Sequence, residues 1–250
     1  MKAIIILTTA CAAAGASAQL VITGPGPYTQ DFDSLPSAGT GIAWTNNLPT
    51  PLMPGWHSSL TTFDADDGNM VNTGAYSYGT TGSGERALGS ISLMGALIRY
   101  GLQMNNASGS TLGSLAVSYR GEQWRSGSAL TDVLLFEYST NATSLMSGTW
   151  TPVSALDFNS PTNTGTFALN GNLAVNQAVM SSTITGLNWL NGSDMWIRWT
   201  HVGNASRHGM AIDDVVLQTN PVPEPSTMAA LGVAFIGLAR RRRRTASGQV

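Results

Sequence analysis

Between residues 20 and 220 no stretch shows convincing helical periodicity; the apolar residues alternate instead. In Leu115-Ala116-Val117-Ser118-Tyr119-Arg120 the large apolar side chains fall on every second position, which sets Leu115, Val117 and Tyr119 on one face of a strand. Residues 132–138 form a strand pattern with a nearly continuous apolar centre. Residues 195–201 put Ile197 and Trp199 on one face, with Trp196 and Arg198 on the other. Residues 96–104 and 211–217 read as further strands, each set apart by Gly, Asn, Ser or Pro, and residues 106–114 and 159–166 read as loops. Many strands and no helices predict an all-β fold, a two-sheet antiparallel sandwich of jelly-roll type.

The two ends follow different rules. Met1-Lys2, an apolar run from Ala3 to Ala14 and the small residues Ala16 and Ala18 before Gln19 read as a secretory signal peptide over residues 1–18. Signal peptidase cleavage after Ala18 removes Lys2 and the single cysteine, Cys11. The mature chain then has neither a disulfide nor a thiolate. At the other end, residues 228–239 are uncharged and mostly apolar, and five arginines follow: Arg240, Arg241, Arg242, Arg243 and Arg244. Twelve helical residues rise about 18 Å, short of a roughly 30 Å hydrocarbon core. Adding residues 225–227 and letting the first arginines snorkel makes a short transmembrane helix. The arginines stay cytoplasmic and place the bulk of the chain outside, in agreement with the signal peptide.

The order of Pro223-Glu224-Pro225, an apolar segment and an arginine cluster resembles the PEP-CTERM sorting signal of Gram-negative bacteria. That resemblance implies recognition of Pro223, Glu224 and Pro225 by an exosortase in the inner membrane, with delivery to the cell surface or an extracellular matrix rich in exopolysaccharide. The arginines then serve as a membrane stop. The expected organisation is a signal peptide at 1–18, a sandwich ectodomain at 19–219 and a sorting signal at 220–245.

Between these ends stand six arginines and no lysine against thirteen carboxylates, a net charge of −7 that the whole-chain value of −2 conceals. An acidic domain repels phosphate backbones, which argues against nucleic-acid binding. Charged residues make up 10% of the chain, and Gly, Ser, Thr and Asn take their place, giving a surface of hydroxyl and amide groups.

Six segments, among them "YTQDFDSLP" (28–36), "VSYRGEQWRSG" (117–127) and "HGMAIDDVVL" (208–217), resemble a jelly-roll ectodomain that recurs in secreted bacterial proteins. The resemblance implies an accessory or matrix module and brings no catalytic residues with it. The segment "AIDDV" also resembles the last strand of carbohydrate-binding and adhesion jelly rolls, where an acid holds structural calcium.

Candidate chemistry is sparse. His57, His201 and His208 match no zinc spacing, and there is no Gly-x-Ser-x-Gly elbow. Glu122 and Glu137 are the carboxylates available for glycan hydrolysis, but Glu122 stands between Arg120 and Arg125, where an ion pair is expected. Calcium takes six to eight oxygens. Asp33, Asp213 and Asp214 are the candidate ligands, because the first and last strands of a jelly roll run side by side. Alternation sends Asp213 and Asp214 to opposite faces, so one of them needs a partner: Ca²⁺, an arginine such as Arg86, or backbone amides. Asp64–Asp67 before Gly68-Asn69 reads as a solvated turn. Trp56 and Trp189, beside turn residues, are the aromatics expected to be displayed for sugar stacking. Together these readings predict a non-enzymatic surface or biofilm protein that contacts polysaccharide. The alternatives are a secreted hydrolase of glycans or phosphoesters centred on Glu122 or His201 and His208, and a structural coat protein.

Overall fold

The computed structural model describes residues 19–45 and 53–222. Ala16 and Ala18 of the expected signal peptide, the Pro223-Glu224-Pro225 motif, the apolar tail segment and Arg240–Arg244 lie outside the described residues. Among those described, sixteen strands follow one another: β1 (Leu20–Ile22), β2 (Tyr28–Gln30), β3 (Ile42–Ala43), β4 (Trp56–Ser58), β5 (Thr62–Asp66), β6 (Gly74–Tyr78), β7 (Ala87–Ile91), β8 (Leu97–Asn106), β9 (Leu112–Ser126), β10 (Val133–Ser139), β11 (Thr151–Pro152), β12 (Phe158–Asn159), β13 (Phe167–Ala168), β14 (Gln177–Trp189), β15 (Asp194–Val202) and β16 (Gly209–Pro221). Two single turns of 3-10 helix are the only helical structure among these residues, and none of it is long and apolar enough to cross a membrane.

The strands form two sheets. One runs β1-β8-β15-β10-β11, with β4 beside β8 and β12 beside β10; the other runs β9-β16-β7-β6-β5-β3, with β13 and β14 on the outer side of β9 and β2 beside β16. The expected two-sheet, all-β fold is therefore present, although the sheets are mixed. β1 pairs with β8 in parallel, and so does β5 with β6. Parallel neighbours need a crossover between them, and for β1 and β8 the whole chain from residue 23 to 96 supplies it.

Apolar alternation closes the sheets on each other. Leu115, Val117 and Tyr119 of β9 face Ile197 and Trp199 of β15 in one buried cluster. Trp199 is its hub: its ring stacks on Trp56 at 5.9 Å and meets Tyr119 and Phe136 edge-on at 5.3 and 5.1 Å. Gly121 of β9 carries no Cβ because Phe158 lies against it; a methyl group there would stand 2.3 Å from the ring.

Both outer faces are covered in part. Trp196 packs with Ala142 and Leu145 from the segment after β10, and the Arg198 guanidinium sits 3.8 Å over the Trp150 ring. On the other sheet Tyr76, Tyr78, Ala87, Ile91, Trp124 and Ala211 make a second apolar cluster, with Tyr78 and Trp124 stacked at 5.9 Å. The acidic stretch before Gly68 is not a solvated turn throughout: Asp64–Asp66 lie in β5, and Asp66 is buried. Asp66 accepts from the backbone N–H of Gly68 and of Met70, and Asp67 from Asn69 and Thr81, which close the turn that follows the strand.

His57 on β4 is buried beside Trp196 at 4.7 Å, and its Nε2 has no hydrogen-bond partner. Burial pushes its pKa down to about 4. A histidine held neutral in the fold contributes stability that is complete above its unfolded pKa near 6.5 and is lost as pH falls towards 4. We therefore expect the stability difference between wild type and His57→Phe to be constant above pH 7 and to shift in favour of the variant between about pH 6.5 and pH 4. Parallel urea-denaturation curves across that window would show that the ring carries no such penalty.

Candidate functional site

The last strand sets the geometry of the site. β16 pairs with β9 along its length, and on its other side with β7 through Gly209–Ile212 and then with β2 through Val215–Leu217. Asp213 and Asp214 fall at the seam between those two partners. The register against β9 shifts there, and Asp214 adopts φ 48°, a left-handed conformation that Asp tolerates better than most residues. The bulge turns the Asp214 side chain out to solvent, where it accepts from Arg120 Nε at 3.1 Å, and leaves Asp213 buried on the sheet's outer face. Without the extra residue, alternation would send Asp214 to the core beside Ile212.

Four chain segments deliver acids to this seam. Asp31 and Asp33 follow β2, Glu85 precedes β7, Glu122 is on β9 and Asp213 on β16. They line an open cleft of about 260 Å³ together with Arg120, Asn172, Gln177 and Asp214. One carboxylate oxygen from each of Glu85, Glu122 and Asp213 lies within 4.8 Å of the other two. Glu122 is fully buried and Asp213 is 5% exposed. Glu122 accepts from Trp124 Nε1 at 2.9 Å through Oε2, and Glu85 accepts from Asn172 Nδ2 through Oε2. Glu122 Oε1, Glu85 Oε1 and Asp213 Oδ1 are buried without a partner. Burial, and then the neighbouring carboxylates, push Asp213 up to about 9; burial pushes Glu122 up to about 7.

Several expectations change here. Glu122 makes no ion pair with its sequence neighbours: Arg120 turns to Asp214 and Gln177, and Arg125 Nη1 donates to the Gly68 carbonyl at 3.1 Å. Arg86 does not reach Asp213, since its guanidinium is spent on Ser77 and the Asp66 carbonyl. Asp33 lies at the seam, but its Oδ1 accepts the Arg86 backbone N–H at 2.9 Å. Of the trio Asp33, Asp213 and Asp214, only Asp213 belongs to the tight cluster; Glu85 and Glu122 supply the other carboxylates. Glu85 carried no sequence signal beyond its charge, because only the sheet order β9-β16-β7 brings it to Glu122 and Asp213.

Trp56 and Trp189 are not displayed. Each is 1% exposed, with its indole N–H donating internally, to the Tyr28 hydroxyl and the Ser193 carbonyl at 2.8 Å each. An exposed turn follows Trp189, and Trp56 follows a largely buried one, but both rings fold back into the main core and offer no face to a sugar. Gln19, the first described residue, accepts from Gln103 Nε2 at 3.1 Å. Glu137 does not meet Glu122; it lies on the opposite sheet and accepts from Arg198 Nε at 2.8 Å and Thr200 Oγ1 at 3.2 Å.

A serine, a histidine and an aspartate also line up. His201 Nε2 donates to Asp132 Oδ2 at 3.1 Å, and the Ser90 hydroxyl donates to His201 Nδ1 at 2.9 Å. All three are at most 1% exposed, so no substrate reaches the Ser90 hydroxyl. The array ties β7 of one sheet to β15 of the other. Burial opposes ionisation of Asp132, but the bonds from His201 and Ser206 outweigh it and lower its pKa. His208 is a second latch: its Nε2 donates to the Leu130 carbonyl at 2.7 Å while Nδ1 accepts from the Gly127 N–H at 3.0 Å.

With the fold and the seam established, the tail can be compared with known families. Residues 221–244 match the family model of the PEP-CTERM protein-sorting motif. The chain carries a PEP-CTERM sorting signal. Its first matched residue, Pro221, is also the last residue of β16, so the sorting signal begins where the sheet ends. No curated protein sequence matches the chain significantly. Among solved structures, the xylan-binding CBM22-1 domain of Paenibacillus barcinonensis Xyn10C is 8% identical, with a TM-score of 0.40 over 78% of this chain and 95% of that one. The K1 cleaved adhesin domain of Lys-gingipain from Porphyromonas gingivalis W83 is 13% identical, with a TM-score of 0.39 over 78% and 99%. Both scores are too low to bear on what this chain does.

Removing a buried acceptor leaves each of its donors unsatisfied, at a cost of about 1–3 kcal/mol apiece. Asp132→Ala should therefore destabilise the fold by about 3 kcal/mol or more, and Ser90→Ala by about 1–2 kcal/mol. Equilibrium urea unfolding measures both. A value for Ser90→Ala close to zero would mean that the tie between the sheets does not support the fold.

Proposed function

We propose that this chain is a non-enzymatic component of the cell surface or extracellular matrix, exported by its signal peptide and delivered by an exosortase of a Gram-negative envelope. The observation that carries the reading is the sorting motif at residues 221–244, which indicates a surface or extracellular destination. The strand order supports it. β16 is flanked by β9 on one side and, up to Leu217, by β7 and β2 on the other, and its last residues, to Pro221, stay paired with β9, so the motif follows directly on a strand held in the sheet. Cleavage near Glu224 would release an intact sandwich, with no part of the sheet lost. A domain with few charges and many hydroxyl and amide groups suits contact with exopolysaccharide, whose own surface is of the same kind.

Sorting is testable in an exosortase-bearing host that expresses the full chain and its Glu224→Ala variant. Mass spectrometry of the C-terminus and fractionation follow each form. Wild type is expected to lose Arg240–Arg244 and leave the inner membrane, while the variant keeps them and stays. Wild type remaining uncut in the membrane would make the tail an ordinary anchor and remove the matrix role.

A further inference from the structure

The carboxylate cluster at the β2/β7/β16 seam has no part in sorting, and its chemistry is the same wherever the protein is sent. Two of its members are more than nine-tenths buried, and each has an oxygen with no hydrogen-bond partner: Oε1 of Glu122 and Oδ1 of Asp213. Oε1 of Glu85 is in the same condition. Among the described residues no basic side chain forms an ion pair with the three. Arg120, the cation lining the same cleft, is held by Asp214 and Gln177, and Asp31 and Asp33 add further negative charge at the rim. Three carboxyl groups facing one another, two of them buried, are costly unless protons or a cation neutralise them.

We propose that Glu85, Glu122 and Asp213 bind one divalent cation of the calcium type. The donors are all hard oxygens, with no imidazole or thiolate among them, which selects calcium-like ions over zinc or copper. Oxygens at 2.3–2.6 Å from one calcium ion stand at most about 5 Å apart, so a cluster within 4.8 Å fits its shell. Calcium also accepts an irregular set of protein and water oxygens, whereas magnesium demands near-ideal octahedral geometry. The cleft is open on one side, so water completes the coordination of six to eight oxygens. The ion would clasp three adjacent strands: Glu122 belongs to β9, Asp213 to β16 and Glu85 to the residues leading into β7.

The test uses the full chain, stripped with EDTA and titrated by calorimetry with CaCl₂ and, separately, MgCl₂. One Ca²⁺ per chain is expected, bound more tightly than Mg²⁺, with a dissociation constant no weaker than about 1 mM, the limit for extracellular calcium modules. Saturating Ca²⁺ should raise the melting temperature by about 3 °C or more. Glu122→Gln should weaken Ca²⁺ binding at least tenfold, while Asp64→Asn, outside the cluster, leaves it unchanged. Where Glu122→Gln does not fold, Tb³⁺ serves on wild type: it occupies calcium sites, and Trp124, hydrogen-bonded to Glu122, should sensitise emission that Ca²⁺ then quenches by displacement. Absence of heat, of a melting shift and of Ca²⁺-displaceable Tb³⁺ emission would overturn the proposal. So would a Glu122→Gln chain that binds Ca²⁺ as wild type does, or one that melts higher than wild type in EDTA while Ca²⁺ leaves wild type unmoved, the pattern of carboxyls neutralised by protons alone.

Discussion

The fold depends on the insertion of its last strand. β16 is an interior strand of the larger sheet, with β9 on one side and β7 and β2 on the other, and it carries Met210, Ile212, Val215 and Leu217 into the main core. Until Gly209–Pro221 has been made and placed, β9 and β7 have no partner between them, and the sheet is two halves with open edges. Pairings this distant in sequence form late and slowly in all-β proteins. An exported chain of this kind completes its fold only once its C-terminal strand is available.

The core that β16 closes is held by more than apolar contact. The buried rings around Trp199 give the sheets a large common surface, and the line from Ser90 through His201 to Asp132 adds a directional tie that fixes how one sheet sits on the other. Buried polar groups gain from such an arrangement only when every member is satisfied. Asp132 meets that condition, with bonds from His201, Ser206, Asn204 and its neighbour's backbone N–H. Glu85, Glu122 and Asp213 do not meet it. One buried polar cluster is complete, and the other keeps oxygens that none of the described residues satisfies.

Strands whose faces differ were legible in the sequence. The alternation in 115–120 and 195–201 gave β9 and β15 their inward residues, and segments 96–104 and 211–217 lie within two residues of where β8 and β16 begin. β14 was harder to see. It is an outer strand, largely exposed, and its Ser and Thr residues blur the alternation that marks a half-buried one. The tryptophans show a different limit: the residues flanking Trp56 and Trp189 mark a turn but do not say which way a ring at its edge points. Glu122 shows a third. Sequence neighbours two and three positions away suggested ion pairs, whereas its surroundings come from Glu85 and Asp213, which only strand order and a bulge bring near. Paired acids could be anticipated at Asp213-Asp214; which of the two turns inward depended on one residue in a left-handed conformation.

The seam and the sorting signal are joined by a single strand. From the bulge at Asp213-Asp214 the chain runs along β2 and β9 to Pro221, and Glu224 follows three residues later. A cation held by Asp213 would anchor the strand near its middle, while the ladder to β9 holds the remainder up to Pro221. The strand cannot then be drawn out of the sheet without breaking both. A transpeptidase acting at the motif would meet a tether only a few residues long, fastened to a closed domain. Cutting it would separate address from cargo and leave the sheet whole, because β16 ends at Pro221, before the motif.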